Sequence, residues 1–260
     1  MSQTISSFLA EHFSDKQAIG ALNKKWLSYG ALRELKKDVH KALRKNGIAK
    51  QDRLAIVLPN GPTMATAFVT IAQCTTTAPL NPNYREDEFS FYLDDLKAKA
   101  LVVNDGYDGP AAAAAERLDI KIIRLIESDQ VAGLFSLVGD GDKDVIEDEE
   151  VCENDVALIL HTSGTTSRPK IVPLLQSNIA ASASNIAQSL SLSSSDRCLN
   201  VMPLFHIHGL IAAVSASLSV GASIWCSSGF NALSFFSNLD EAKPTWYTAV
   251  PTMHQAILTR

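Results

Sequence analysis

The sequence predicts an α/β fold of two packed βαβ-type regions with mostly parallel sheets. Three observations carry that expectation. Short apolar runs alternate with segments of helical periodicity along most of the chain. The strand-like runs end repeatedly in turn formers, as at Pro59-Asn60-Gly61-Pro62 and Asn104-Asp105-Gly106. The composition, 46% hydrophobic and 20% charged over 260 residues, is that of an ordinary globular chain. At this size a chain buries roughly 70–75% of its unfolded surface, so a substantial core is expected.

Residues 1–50 read as helical and surface-leaning. Tyr29 to Asn46 spaces Leu32, Leu35, Val39 and Leu43 three or four apart, with lysines and arginines between, and Gly47 ends the pattern. That is one amphipathic helix with a solvated basic face. Leu54 to Leu58 reads as a strand, Thr63 to Cys74 as a helix, and Thr77 to Leu80 as a short strand. Glu86 to Ala98 is a helix and Ala100 to Val103 a strand. Pro110 to Leu118 is helical because alanine dominates it, and Ile120 to Ile126 is a strand. Strands separated by such helices indicate βαβ units.

An acidic, glycine-containing stretch over 127–155 interrupts the alternation. Counted from Asp140, its sixth position is Val145 and its twelfth Val151, which fails the calcium-loop template. It reads as a surface connection dividing a first α/β region, 1–150, from a second, 151–260. In the second, Val156 to Leu160 is a strand and Ser177 to Leu190 a helix. Cys198 to Met202 is a strand, and a small-residue helix then runs to Ser219. Ala222 to Cys226 is a strand, Ala232 to Asp240 a helix, and Thr245 to Val250 a strand. Pro251 opens a last helix, a favourable place for proline.

The net charge of −5 argues against a nucleic-acid binder. Cys74, Cys152, Cys198 and Cys226 form no CxxC pair, so neither a zinc ribbon nor a redox motif is signalled. They read as inert residues of a reducing compartment. The N-terminus lacks the pattern of a signal peptide. The longest apolar run, Gly209 to Cys226, contains Ser215, Ser217, Ser219 and Gly221, and reads as helix, break and strand rather than a membrane span. A cytoplasmic protein is expected, with a peroxisomal one an alternative in a eukaryote.

Two stretches carry chemistry. Val156 to Pro173 is an apolar run emptying into Thr162-Ser163-Gly164-Thr165-Thr166, followed by Arg168, Pro169 and Lys170. Gly164 permits a tight turn whose N–H groups can converge on one anion. Hydroxyls add donors, and Lys170 adds a charge that can reach phosphate oxygens. The run is not the common P-loop, and a turn rich in Ser, Thr and Gly is also the commonest kind of plain loop. The second stretch, Pro203-Leu204-Phe205-His206-Ile207-His208-Gly209-Leu210, sits where a strand gives way to a helix, the usual ligand edge of an α/β sheet. His206 and His208 can be metal ligands on one face of an extended segment, structural histidines, or the lining of a carboxylate pocket.

Together the two stretches resemble the adenylate-forming superfamily of acyl-CoA synthetases, luciferases and peptide-synthetase adenylation domains. The first resembles its phosphate signature, aromatic-Thr-Ser-Gly-Thr-Thr-Gly-x-Pro-Lys-Gly. His161 and Ser167-Arg168 are similar to the oxalate–CoA ligase branch, and Ile171 stands where the signature has glycine. The second resembles the family's Pro-x-Phe-His segment. Trp246 to Gln255 is similar to the oxalate–CoA and coumarate–CoA ligase branches. The resemblance spans nearly the whole chain and roughly the first half of the family's usual length.

The resemblance implies an AMP-dependent acid–CoA ligase using ATP, magnesium and coenzyme A. By it, Thr162, Ser163, Gly164, Thr165, Thr166 and Lys170 hold the β/γ-phosphates, and Thr162 is a candidate contact to magnesium. His206 stands by the reacting carboxylate, His208 lines the acyl pocket, and Ala249 to Thr252 lie along its wall. A polar His208 suits a small or polar acid. The family's adenine and ribose contacts, acidic metal ligand and catalytic lysine find no match here. The chain is thus expected to be an N-terminal part, inactive without a C-terminal half. The alternative expectation is a non-catalytic nucleotide-binding fragment or half of a split enzyme. An unrelated phosphotransferase or hydrolase is disfavoured by the lack of a G-x-S-x-G elbow and a Walker lysine.

Overall fold

A computed structural model of the chain describes residues 4–10, 12–139, 149–162 and 169–260. Helix α1 (Ile5–Ala10) leads to β1 (Gln17–Gly20), β2 (Leu27–Ser28) and α2 (Tyr29–Lys45). Next come β3 (Arg53–Val57), α3 (Pro62–Ile71), β4 (Thr76–Pro79), α4 (Glu86–Leu96) and β5 (Ala100–Asn104). After these, α5 (Pro110–Arg117), β6 (Lys121–Glu127) and β7 (Phe135–Val138) complete the first stretch. The second holds β8 (Val156–Thr162), β9 (Lys170–Leu175), α6 (Gln176–Ser189), β10 (Arg197–Asn200), a π-helix (His208–Ser215) and α7 (Ala216–Ser219). It ends with β11 (Ser223–Cys226), α8 (Phe235–Ala242), β12 (Trp246–Thr248) and α9 (Pro251–Leu258).

The strands form two sheets, ordered β7-β6-β5-β3-β4-β8-β9 and β12-β10-β11-β1-β2. All pairings are parallel except β6–β7, β8–β9 and β1–β2. Sheet membership crosses the expected division at 150/151. Strands β8 and β9 complete the first sheet, and β1 and β2 join the second.

Alternation along the strands explains the layering. In β3, Leu54 and Ile56 face one apolar cluster while Ala55 and Val57 face another. In the second sheet Cys198, Ile224 and Cys226 join that first cluster, and Leu199 and Trp225 a third. The first cluster therefore lies between the sheets, and helices α2, α3, α6 and the π-helix fill it. Burial on both faces is why these strands read as unbroken apolar runs. Each fully buried Leu or Ile contributes about 1.5–3 kcal/mol.

The helix read over Tyr29 to Asn46 forms as α2, with the Ser28 hydroxyl accepting the Ala31 N–H at 3.1 Å as its N-cap. It is amphipathic as expected: Leu32, Leu35, Val39 and Leu43 are buried, while Lys37, Lys41 and Lys45 are exposed. Four elements differ from the reading of the sequence. Strands β1 and β2 occur in the stretch read as helical, β7 in the stretch read as a connection, and β9 follows the candidate phosphate loop. Strand β9 contains Pro173, which is admissible because β9 is the sheet's edge. Of the cysteines, Cys74, Cys198 and Cys226 are buried but Cys152 is exposed. No helix among the described residues is long and apolar enough to cross a membrane.

Candidate functional site

The candidate phosphate loop falls between the paired strands β8 and β9. Thr162 ends β8, Lys170 opens β9, and the two are direct cross-strand partners. Both side chains are exposed. The segment is thus flanked by a pair offering one hydroxyl and one ammonium. Ser163, Gly164, Thr165 and Thr166 lie outside the described residues.

The base of the hairpin is braced against α4. His161 Nε2 lies 3.1 Å from Asp95 Oδ2, and its ring meets Tyr92 edge-on at 4.7 Å. Tyr92 stacks in turn on Tyr84 at 4.8 Å. Burial lowers the His161 pKa below its ordinary value, although Asp95 acts in the opposite direction. Desolvation wins, so the pair is mainly a neutral-imidazole hydrogen bond at pH 7. Ile171 pairs with His161 across the hairpin and packs into the cluster on the α4 face. As an ordinary strand residue it lies outside the left-handed region, so a β-branched side chain is at ease where the signature has glycine.

The histidine segment is built differently. Strand β10 ends at Asn200, whose side chain bonds both the N–H and the C=O of Met202 at 3.2 Å. The backbone then folds tightly, with the Leu210 N–H donating to the His206 C=O at 3.1 Å. Gly209 is needed at this fold, since a Cβ there would stand 2.5 Å from the Pro203 carbonyl oxygen. The segment enters a π-helix rather than an α-helix, and Ser215 Oγ donates to the Leu210 C=O at 2.8 Å. Such wide turns often occur where a side chain is placed for function.

His206 is exposed and lies against Phe205, ring centres 4.3 Å apart. His208 is half-buried, its Nε2 2.7 Å from Thr248 Oγ1. Partial desolvation lowers both imidazole pKa values, so both are neutral at pH 7. Each then offers one N–H donor and one acceptor. The bond to Thr248 ties the histidine segment to the end of β12, next to Ala249 to Thr252, the residues expected along the pocket wall. Among the described residues, no group of three or more His, Cys, Asp or Glu could hold a metal ion. A metal centre built on His206 and His208 lacks a third ligand of those types there.

The two stretches follow the carboxyl ends of strands in different sheets, and the turn after β3 links those sheets. Strands β3, β4 and β8 run parallel, so Thr162 lies at the same carboxyl edge as the turn after β3. In that turn, Asn60 Oδ1 accepts the Leu204 N–H at 2.8 Å and Nδ2 donates to the Ser227 C=O at 3.3 Å. The carboxyl edges of both sheets are thereby joined, and ligand sites of open α/β sheets lie at that edge. No described hydrogen bond, ion pair or ring contact links Thr162 or Lys170 to His206 or His208. Asn60, Asp95 and Thr248 were not singled out from the sequence. Asn60 read only as part of a strand-closing turn.

Comparisons with known proteins bear on the family and the fold. A family model described as AMP-binding enzyme matches residues 9–260. The chain is 38% identical to an oxalate–CoA ligase of Arabidopsis thaliana, over 100% of the chain and 52% of the relative. It is 38% identical to a probable CoA ligase of Humulus lupulus, over 96% and 49%. The chain thus spans about half the length of these curated relatives. The fold is similar to ATP-bound MatB from Rhodopseudomonas palustris, with TM-score 0.82 at 21% identity, over 100% of the chain and 52% of that structure.

Proposed function

The chain belongs to the AMP-binding enzyme family, and from that premise we propose that it carries the phosphate-gripping and carboxylate-facing part of an AMP-dependent acid–CoA ligase. In the first half-reaction a carboxylate oxygen of the acid attacks the α-phosphorus of ATP. The bond to the bridging oxygen breaks and pyrophosphate leaves, giving an acyl adenylate. In the second, the thiolate of coenzyme A attacks the acyl carbon, and AMP leaves with the electrons of the broken C–O bond. Adenine and ribose contacts and the catalytic lysine fall to sequence equivalent to the other half of the relatives.

The difficulty of the first step is bringing two anions together. Lys170 places an ammonium at the base of the loop. The hydroxyls of Thr162, Ser163, Thr165 and Thr166 and the backbone around Gly164 supply donors to the β/γ-phosphates. Magnesium adds charge neutralisation to the triphosphate when bound. With one hydroxyl, Thr162, at the described base of the loop, the donor set fits an ion that keeps mostly phosphate and water ligands. Neutral His206 donates one hydrogen bond to the carboxylate without trapping it as an ion pair.

His208 and Thr248 form a polar wall. An alkyl chain pressed against them would desolvate polar atoms without replacing their partners, so a short or polar acid is favoured. Oxalate, the acid named for the Arabidopsis relative, is the first to test. The observation that carries the reading is the direct pairing of Thr162 with Lys170 around a loop of the family's phosphate signature. Acid-dependent ATP–pyrophosphate exchange tests it. Exchange is expected from a polypeptide of the relatives' length that contains this chain, and not from residues 1–260 alone. ATP hydrolysis independent of any acid would overturn the ligase reading, and robust exchange by 1–260 would overturn the division of labour.

A further inference from the structure

One side chain outside the residues assigned to the reaction joins the two sheets at their shared edge. Asn60 follows β3, yet both of its hydrogen-bond partners belong to the other sheet. Leu204 follows β10 and Ser227 follows β11. An amide suits this place because its oxygen must accept from an N–H while its nitrogen donates to a carbonyl. A carboxylate of the same size only accepts, so it can serve the bond from Leu204 but not the one to Ser227.

The partners are themselves braced. Ser227 Oγ donates to the Asn200 C=O at 2.9 Å, and Asn200 holds Met202 through both ends of its amide. The carboxyl edge of the second sheet is one connected polar seam, and Asn60 links it to β3. Below the link, Leu58, Leu80 and Leu204 are buried. Leu204 stands two residues before His206, and the intervening fold holds Pro203 against Gly209. The placement of the histidine segment relative to the first sheet therefore passes through the Asn60 amide.

We propose that Asn60 is a positioning residue, which sets the histidine segment of the second sheet against the first sheet, where the phosphate loop resides. Its effect on rate rests on the function proposed above, but its effect on the segment does not. The two are read separately. Hydrogen exchange on the chain, wild type and Asn60→Ala, reports the segment. Loss of the acceptor should speed exchange of the Leu204 amide about tenfold or more, while amides of β3 hold their rates. In a ligase-length polypeptide the same change should lower kcat for acid-dependent exchange about tenfold or more, with KM for ATP within about twofold.

Asn60→Asp keeps the acceptor for Leu204 and removes the donor to Ser227. It should retain Leu204 protection and show a smaller loss of kcat, and it serves as the probe if Asn60→Ala does not fold. Unchanged Leu204 exchange in Asn60→Ala, or loss of that protection in a folded Asn60→Asp, would overturn the link. So would a kcat loss that only tracks the unfolded fraction or is matched by a rise in KM for ATP. A wild-type ligase-length protein without acid-dependent exchange would overturn the function and Asn60's effect on rate, while the exchange data would still decide the link.

Discussion

The phosphate hairpin and the histidine segment follow the carboxyl ends of strands in different sheets, and they are built on opposite plans. In the hairpin the backbone is generic: two antiparallel strands, paired to their ends, present Thr162 and Lys170 outward. Side-chain type carries the chemistry there. In the histidine segment the backbone is specific. A glycine pressed on a carbonyl, a π-helix and an asparagine seam place two histidines. The difference predicts where each region fails: the hairpin loses function before stability, and the histidine segment loses stability along with function.

The largest effect should come from Lys170→Ala in a ligase-length protein. Pyrophosphate exchange should fall about 10²–10³-fold, the usual cost of removing a charge-stabilising donor. Stability should move by no more than about 0.5 kcal/mol, because Lys170 is exposed. A large stability loss with activity kept would reverse the comparison. Gly209→Ala should do the opposite. Its methyl meets the Pro203 carbonyl, so the chain should lose about 1–3 kcal/mol by denaturant titration. A neutral result would mean that the turn yields easily, contrary to the packing.

Ile171→Gly restores the signature residue and sharpens the hairpin's side of the contrast. It should cost about 1–2 kcal/mol through lost burial and added backbone freedom, with little change in exchange rate. Faster exchange together with higher stability would show that the loop needs glycine there. The smallest effect concerns pH. Burial lowers the pKa values of His161, His206 and His208 from an ordinary 6.5. The unfolded chain therefore binds more protons between the lowered values and 6.5. These residues leave stability full above pH 6.5 and reduce it as pH falls from there toward the lowered values. His161→Gln should remove the hairpin's share of that decline in denaturant midpoints, leaving the share of the other two. An unchanged slope would show that His161 titrates alike in both states.

The alternation of strands and helices was legible because the central strands are buried on both faces, which writes continuous apolar runs such as Leu54 to Leu58. Strands β1 and β2 were not. They are too short for a period, and Ile19 is held by Ile224 rather than by anything nearby in sequence. Strand β9 was hidden by Pro173, which excludes a central strand but not an edge. At the site, Lys170, His206 and His208 stood out by residue type in a recognisable pattern. Asn60, Asp95 and Thr248 did not, because their roles lie in partners 144, 66 and 40 positions away. A hydrogen bond across such a distance leaves no local pattern.

The exchange of strands between the sheets also bears on synthesis. Every strand of the seven-stranded sheet lies between Arg53 and Leu175, so it can assemble once that length has left the ribosome. Strand β1 emerges far earlier, yet its parallel partner β11 begins only at Ser223. Strand β1 must wait until Ser223 and its neighbours have emerged, and loop closure over that span slows the pairing. Until then Ile19 and its neighbours lack their sheet, and a nascent chain halted between the two strands presents that edge to whatever binds unpaired backbone.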